Sequence, residues 1–436
     1  MPARDAVTPP PLHRATLDNG LRVVVAPDTG RSAAPVVGVA VYYDVGFRSE
    51  PEGRTGFAHL FEHLMFQGSA RVGKMEHPRL VQGAGGTMNG STHPDFTNYF
   101  QVVPSNALEL TLWLEADRMR SPAVTDENLA NQVAVVQNEI RVNVMNRPYG
   151  GFPWILLPPV AFDSFANAHN GYGDFSELES SSVADAEDFF RRFYAPGNAV
   201  LAIAGDTDPE AALALVLKHF GDIPARRTPK RPSFAEPPLT AARRAEHLDP
   251  MATAPAVAIG WRAPDPAKQR QLHLATVVLA ELLAEGDASR LIQRLVLRDR
   301  SAISVEAYLG TFGDPFEQRD PALLTVTAVH PSAVPVDTVL AAIQDEVDRI
   351  ARDGVPADEL ARVHARLRAQ LLRQVDQVLA RTLQLAMFEQ QHGRGELVWE
   401  LPDLLTAVTP DDVRAAAARL SADSASVLVL QAGAAA

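Results

Sequence analysis

Five residues, His59-Leu-Phe-Glu62-His63, constrain this chain more than any other stretch of it. The histidines stand four positions apart, about 40° around a helix of 3.6 residues per turn, so both imidazoles leave the same face. Phe57, Leu60, Phe61 and Leu64 recur at helical spacing and predict a buried opposite side. Two imidazoles so placed are a ready pair of metal ligands. Glu62 can reach a water held on that metal without being a ligand itself. A surface helix carrying two solvated histidines would show the same spacing, so a further ligand decides between the readings.

A tetrahedral catalytic zinc takes three protein ligands and keeps one position open. The segment 131–146 reads as an amphipathic helix, with Val133, Val136 and Ile140 on its apolar stripe and Glu139 on its flank. An acidic residue in that position is ordinarily a solvated surface charge. Other ligand chemistry is scarce, because the chain has no cysteine: disulfides, thiolate ligands and cysteine nucleophiles are all excluded.

The 436 residues suffice for two or more domains, each able to bury a core. With 46% hydrophobic and 21% charged residues the composition is that of an ordinary globular protein, and no apolar run reaches membrane-span length. A net charge of −13 argues against a nucleic-acid partner. It suits basic peptides, but a solubility surface explains it better. The start, with Pro2, Pro9, Pro10 and Pro11, shows no basic-then-apolar leader. The expectation is either a cytoplasmic protein or a bacterial periplasmic one whose signal is absent from this sequence.

Residues 226–239 mix Arg226, Arg227, Lys230 and Arg231 with four prolines and read as an interdomain linker. The parts on either side end alike. Val183 to Gly205 runs from an acidic helix into an apolar strand, and Thr409 to Gly433 repeats that plan. Each part also opens with strands (Arg22–Val25 and Val36–Tyr43; Ala256–Trp261), followed by a helix (Gly56–Phe66; Arg270–Glu285). The predicted fold is α+β: two homologous sandwich domains, each an antiparallel-rich sheet packed with helices. Their expected limits are 12–225 for a metal-binding domain, 226–240 for the linker and 241–436 for a domain without a metal site. The longest helix is expected from Ala357 to about Glu389 on the stripe Leu360, Val363, Leu367, Leu371, Val375 and Val378. His273 and Glu281 have no second histidine at ligand spacing, and His330, His364 and His392 stand singly, as structural or surface residues do.

The order His-x-x-Glu-His is that of the inverted zincin helix. Together with Leu17-Asp-Asn-Gly-Leu-Arg-Val-Val, Gly56 to Gly68, Gly85-Gly-Thr-Met-Asn89, Thr92, Thr97, Tyr99, Val135-Val-Gln-Asn-Glu139, Asn146 to Gly150 and Tyr194 to Asp206, it makes the chain resemble the pitrilysin/insulysin-type zinc peptidases. The likeness is greatest to their half-length branch, which includes the mitochondrial processing peptidase and bacterial relatives. It extends over nearly the whole chain, with its specific motifs in the first half. The resemblance implies one Zn2+ per chain on His59, His63 and Glu139, and Glu62 as the base that activates the attacking water. It also implies that Asn89, Gly90 and Ser91 lie on an edge strand that pairs with extended substrate. On the residues alone, that stretch is equally a glycine-rich turn. His93 is not needed as a ligand. Gln132 stands where many relatives have a glutamate; it can orient a ligand but cannot titrate, and a surface role is an equal reading.

One departure carries weight. Catalytic relatives supply an arginine and a tyrosine, seven residues apart, from the opposing half to grip substrate. The corresponding positions here are Val296 and Ile303, and Tyr308, the only tyrosine after residue 200, has Ser301 seven before it. The resemblance therefore implies a heterodimer: this chain carries the metal, and a homologous subunit supplies the pair. The alternative is a non-catalytic structural or peptide-binding subunit of the same fold.

Overall fold

The computed structural model describes residues 11–28 and 35–433; Pro2, Pro9 and Pro10 lie outside the described residues. Two mixed, antiparallel-rich sheets pack with helices in an α+β fold. The first has six strands, β1 (His13–Thr16), β2 (Arg22–Pro27), β3 (Val36–Tyr43), β4 (Thr87–Thr92), β5 (Thr97–Pro104) and β6 (Ala199–Gly205), in the order β1-β2-β6-β3-β5-β4. The second has five, β7 (Arg243–Asp249), β8 (Ala256–Arg262), β9 (Ser304–Leu309), β10 (Leu323–Val329) and β11 (Ser426–Ala432), in the order β7-β11-β8-β10-β9. Without the outer β1 the two orders are one: first, fifth, second, fourth, third. The directions agree as well. β2 with β6 and β7 with β11 are parallel, and the other pairs are antiparallel.

The central strands of the first sheet are apolar on both faces, and their period of two separates two cores. Val23, Val25, Val39, Val41, Leu201 and Ile203 face one core, shared with Leu60, Phe61 and Leu64. Val24, Ala40, Tyr42, Val200 and Ala202 face the other, shared with Leu385, Ala386 and Phe388 from the far end of the chain. The second half thus lends a helix, Val378–His392, to the first sheet. In return, Leu157, Ala161 and Phe162 of the first half cover Ala258, Leu323 and Leu428 of the second sheet.

This exchange corrects one expectation. The helix predicted from Ala357 to about Glu389 is two helices, Ala357–Asp376 and Val378–His392, with Gln377 extended between them (φ −86°, ψ 122°). Leu360, Val363 and Leu367 are buried on the second half, whereas Val378 and Thr382 meet Gly38 of β3, so the chain must turn to serve a different sheet. Residues 226–240 are irregular, as their prolines demand, yet they are fastened down. Arg231 pairs with Asp44 at 2.6 Å, the buried Phe234 ring lies 4.4 Å below the Arg48 guanidinium, and Glu236 accepts the Ser164 N–H at 3.0 Å.

Gly38 sets how closely the lent helix approaches. A methyl group there would lie 2.2 Å from Thr382 Oγ1, which is held by donation to Val378 O at 2.7 Å. Gly38→Ala is expected to lower stability by about 1–3 kcal/mol, read from the urea midpoint, and adding Thr382→Ala should recover part of the loss.

Candidate metal centre

The motif helix is Phe57–Leu64, and its apolar side is fixed by aromatic packing. The Phe61 ring lies 4.5 Å from that of Tyr194, and Phe57 and Phe61 each lie 5.3 Å from Phe189. With that side committed, His59, Glu62 and His63 must face away from the core. The second helix, Asp126–Ile140, begins at Thr125, whose hydroxyl accepts the Asn128 N–H, and buries Leu129, Val136 and Ile140. Its flank carries Gln132 and Glu139 to the motif helix.

The three side chains meet. His59 Nε2 and His63 Nε2 are 3.3 Å apart, and Glu139 Oε2 lies 3.6 Å from each. A tetrahedral ion with bonds of about 2.0–2.1 Å needs ligand atoms roughly 3.3–3.4 Å apart, so the residues present fit zinc with little adjustment. Among the described residues no other group of three or more His, Asp or Glu converges in this way. Burial, then the neighbouring His63, pushes His59 down to about 4 and keeps it neutral, as a ligand must be. Burial opposes charge on His63 most strongly, but Glu139, Glu62 and Gln132 together outweigh this and raise its pKa. The neighbouring His63, and then His59, hold Glu139 below the usual carboxylate range. The site therefore attracts positive charge.

Gln132 is buried, and its Oε1 lies 3.3 Å from His63 Nδ1 while its Nε2 donates to Asn131 Oδ1 at 2.7 Å. The amide oxygen can only accept, so Nδ1 carries the proton and the Nε2 lone pair is left for a metal. Glu62 is 8% exposed; Thr92 donates to its Oε2 at 2.7 Å, and burial raises its pKa against that hydrogen bond.

Asn89, Gly90 and Ser91 lie on β4, the outermost strand, whose far edge is unpaired among the described residues. Gly90, Ser91 and Thr92 line one cleft with His59 and Glu62. A methyl group at Gly90 would come within 3.1 Å of Phe66, Tyr99 and Asn98 O. Asn89 is not brought to the cleft wall; its exposed side chain accepts its neighbour's N–H from Gly90 at 2.9 Å. His93 points elsewhere, at Glu317 Oε2 (2.8 Å) and Ser91 Oγ (3.0 Å). In the second half, His273 sits between the carbonyls of Pro264 and Pro315, and Glu281 pairs with Arg366 at 2.6 Å. Ile303 is 57% exposed, and Tyr308 lines a small cavity beside Phe47 and Arg48.

Sequence reasoning missed the aromatic wall of the cleft, a space of about 350 Å³ lined also by Phe47, Trp154, Tyr172 and Phe312. Tyr172 stands edge-on to His59 at 5.3 Å and 5.5 Å from Trp154, which is 6.1 Å from Phe312. A signal existed for Phe312: a lone aromatic between Gly310 and Gly313, 47% exposed, belongs to a loop that presents it.

Residues 24–148 match the family model described as insulinase (peptidase family M16), and residues 180–367 match the one described as peptidase M16 inactive domain. The chain belongs to the M16 peptidase family. It is 30% identical over 300 residues to the zinc protease PqqE of Helicobacter pylori, an alignment that spans 67% of this chain and 65% of that one. Two solved structures share its fold. A protease from Helicobacter pylori superposes with a TM-score of 0.88 at 23% identity, covering 97% of this chain and 100% of that one. The periplasmic protease PqqL from Escherichia coli gives 0.76 at 18% identity, covering 99% of this chain and 48% of PqqL, so this chain spans about half its length.

Gln132→Leu removes the acceptor behind His63 and should weaken zinc binding on the order of 10–100-fold in a chelator competition, with the fold intact by circular dichroism.

Proposed function

We propose that this chain is the metal-bearing subunit of a zinc endopeptidase that hydrolyses unfolded peptides. The observation that carries the reading is the spacing of His59, His63 and Glu139 (3.3–3.6 Å between ligand atoms) beside Glu62 and an open strand edge. Zinc bound there, one ion per chain, would act as a Lewis acid on the scissile carbonyl and lower the pKa of a water toward about 7. Three ligands leave a position free for this, whereas a structural zinc normally has four.

The chain's own groups do the rest. An extended peptide pairs with β4 through backbone hydrogen bonds, which gives affinity with little sequence dependence. Gly90 lets the backbone lie close, and Ser91 is held by donation to Asn98 Oδ1 at 2.7 Å. Glu62 takes the proton from the attacking water and returns it to the leaving amine. Thr92 fixes the carboxylate for that transfer. Gln132 keeps His63 in the tautomer that ligates. The aromatic wall excludes water from the reacting bond and favours a bulky apolar side chain next to it.

Val296 and Ile303 cannot act as the arginine–tyrosine pair. A homologous subunit that supplies the pair completes the enzyme, and the paired subunits enclose a chamber that admits unfolded chains.

Glu62→Gln should bind zinc like the parent and lose about 10²–10⁴-fold in turnover of a quenched fluorescent peptide; parental turnover would remove Glu62 from its role. Zinc-loaded protein alone should cleave that peptide poorly and gain activity when a homologous subunit bearing the pair is added. Full activity without any partner would refute the heterodimer.

A further inference from the structure

The motif helix has no cap of its own, because its first residue is preceded by Gly56 in the left-handed region (φ 78°) with no side chain to offer. Its free N–H groups are met from a distance. The buried Glu50 carboxylate accepts from Gly56 N at 2.9 Å and from Ala58 N at 2.6 Å, a negative charge at the positive end of the helix. Behind it stands His169, with Nε2 3.2 Å from Glu50 Oε2 and 2.8 Å from Phe47 O. The other nitrogen, Nδ1, lies 2.8 Å from Phe165 O. Both ring nitrogens thus face oxygens that can only accept; burial opposes charge here, yet Glu50 and the two carbonyls together raise the pKa, which favours the imidazolium. Phe165 stacks on it at 4.4 Å, nearly parallel.

The same segment is tied to the helix start at two more points. Glu177 Oε2 accepts from Thr55 N at 2.7 Å. Gly56 and Gly173 pass backbone to backbone: a methyl group on Gly56 would lie 2.3 Å from Tyr172 O, and one on Gly173 would lie 2.3 Å from Thr55 O. Residues 167–177 are therefore fastened to the N-terminus of the motif helix, and they carry Tyr172, whose ring flanks His59.

We propose that Glu50 and His169 form a buried ion pair that positions the metal-binding helix and Tyr172 as one unit, which makes both of them positioning residues for the centre. This rests on the proposed zinc site, and it goes beyond that site by assigning work to two residues that touch neither metal nor substrate. An amide at position 50 would offer one oxygen where two N–H groups and an imidazolium need acceptors. Breaking a buried pair in this way leaves an uncompensated charge, whereas replacing both members with amides removes it.

The experiment compares Glu50→Gln, His169→Gln and the double variant with the parent protein. Each is measured for zinc affinity by chelator competition, for kcat and KM with the partner subunit present, and for amide exchange at Gly56 and Ala58. Each single variant should exchange faster at those two amides, bind zinc on the order of 10–100-fold more weakly and lose kcat with KM within about twofold, while the double variant recovers part of each. Nitrogen-15 spectra of the parent at neutral pH should show His169 protonated on both nitrogens, a readout independent of whether any variant folds. A neutral His169 overturns the proposal. So does parental zinc affinity in the single variants accompanied only by a lower melting temperature, which is what a purely structural pair would give. A parent that binds no zinc refutes the functional reading instead, and the exchange rates at Gly56 and Ala58 still decide for or against the pair.

Discussion

The centre depends on a packing constraint before any coordination chemistry. The motif helix is two turns long and could not persist alone. It exists because Phe57, Leu60, Phe61 and Leu64 are clamped against Phe189, Phe193 and Tyr194 beneath the first sheet. That clamp leaves the helix one rotation about its axis, and in that rotation both imidazoles point at the helix Asp126–Ile140. Burial also does electrostatic work, since it pushes the His59 pKa down and favours the neutral ring, while the neighbouring His63 holds Glu139 below the usual carboxylate range.

What could be read from the chain follows from this. A pair of ligands four apart is local information, so His59, His63 and the buried stripe beneath them were legible at once. Glu139 was not legible from its own surroundings; on the helix it resembles any flanking acid, and only the resemblance to a known family singled it out. The duplicated sheet was visible as two similar endings, since strand composition repeats even where sequence does not. The break at Gln377 was invisible, because an apolar stripe records that a face is buried but not against which sheet. No glycine or proline marks the turn. The aromatic wall was hidden for a related reason: Phe47, Trp154, Tyr172 and Phe312 come from separate loops that only the tertiary fold brings together.

The two halves share one strand plan but differ in the side chains they set on it. Strand order and direction coincide, yet only the first carries the ligand group found among the described residues. In the second half the corresponding helix buries His273 between two carbonyls and engages Glu281 with Arg366, so those side chains hold structure. Freed from chemistry, that half supplies the helix Val378–His392, whose close seat on β3 requires Gly38.

That division does not make the second half dispensable to the site. Its loop around Phe312 reaches back over the cleft, where Phe312 lies 5.6 Å from the His93 ring, and Glu317 from the same loop takes His93 Nδ1 at 2.8 Å. His93 in turn holds Ser91 on the strand edge. Nearby, the buried Arg48 binds the buried Asp95 at 2.6 Å and also donates to the carbonyls of Arg319 and Pro321. Asp95 also accepts the Arg319 N–H at 2.6 Å, so opening the junction between the halves would leave the donors of Arg48 and an oxygen of Asp95 without these partners. His59, His63 and Glu139 all come from one half, as do Phe47, Trp154 and Tyr172 of the wall, but Phe312, the Glu317 tether of His93 and the helix Val378–His392 come from the other. The cleft beside His59 and Glu62 is therefore shaped by both halves and not by the first alone.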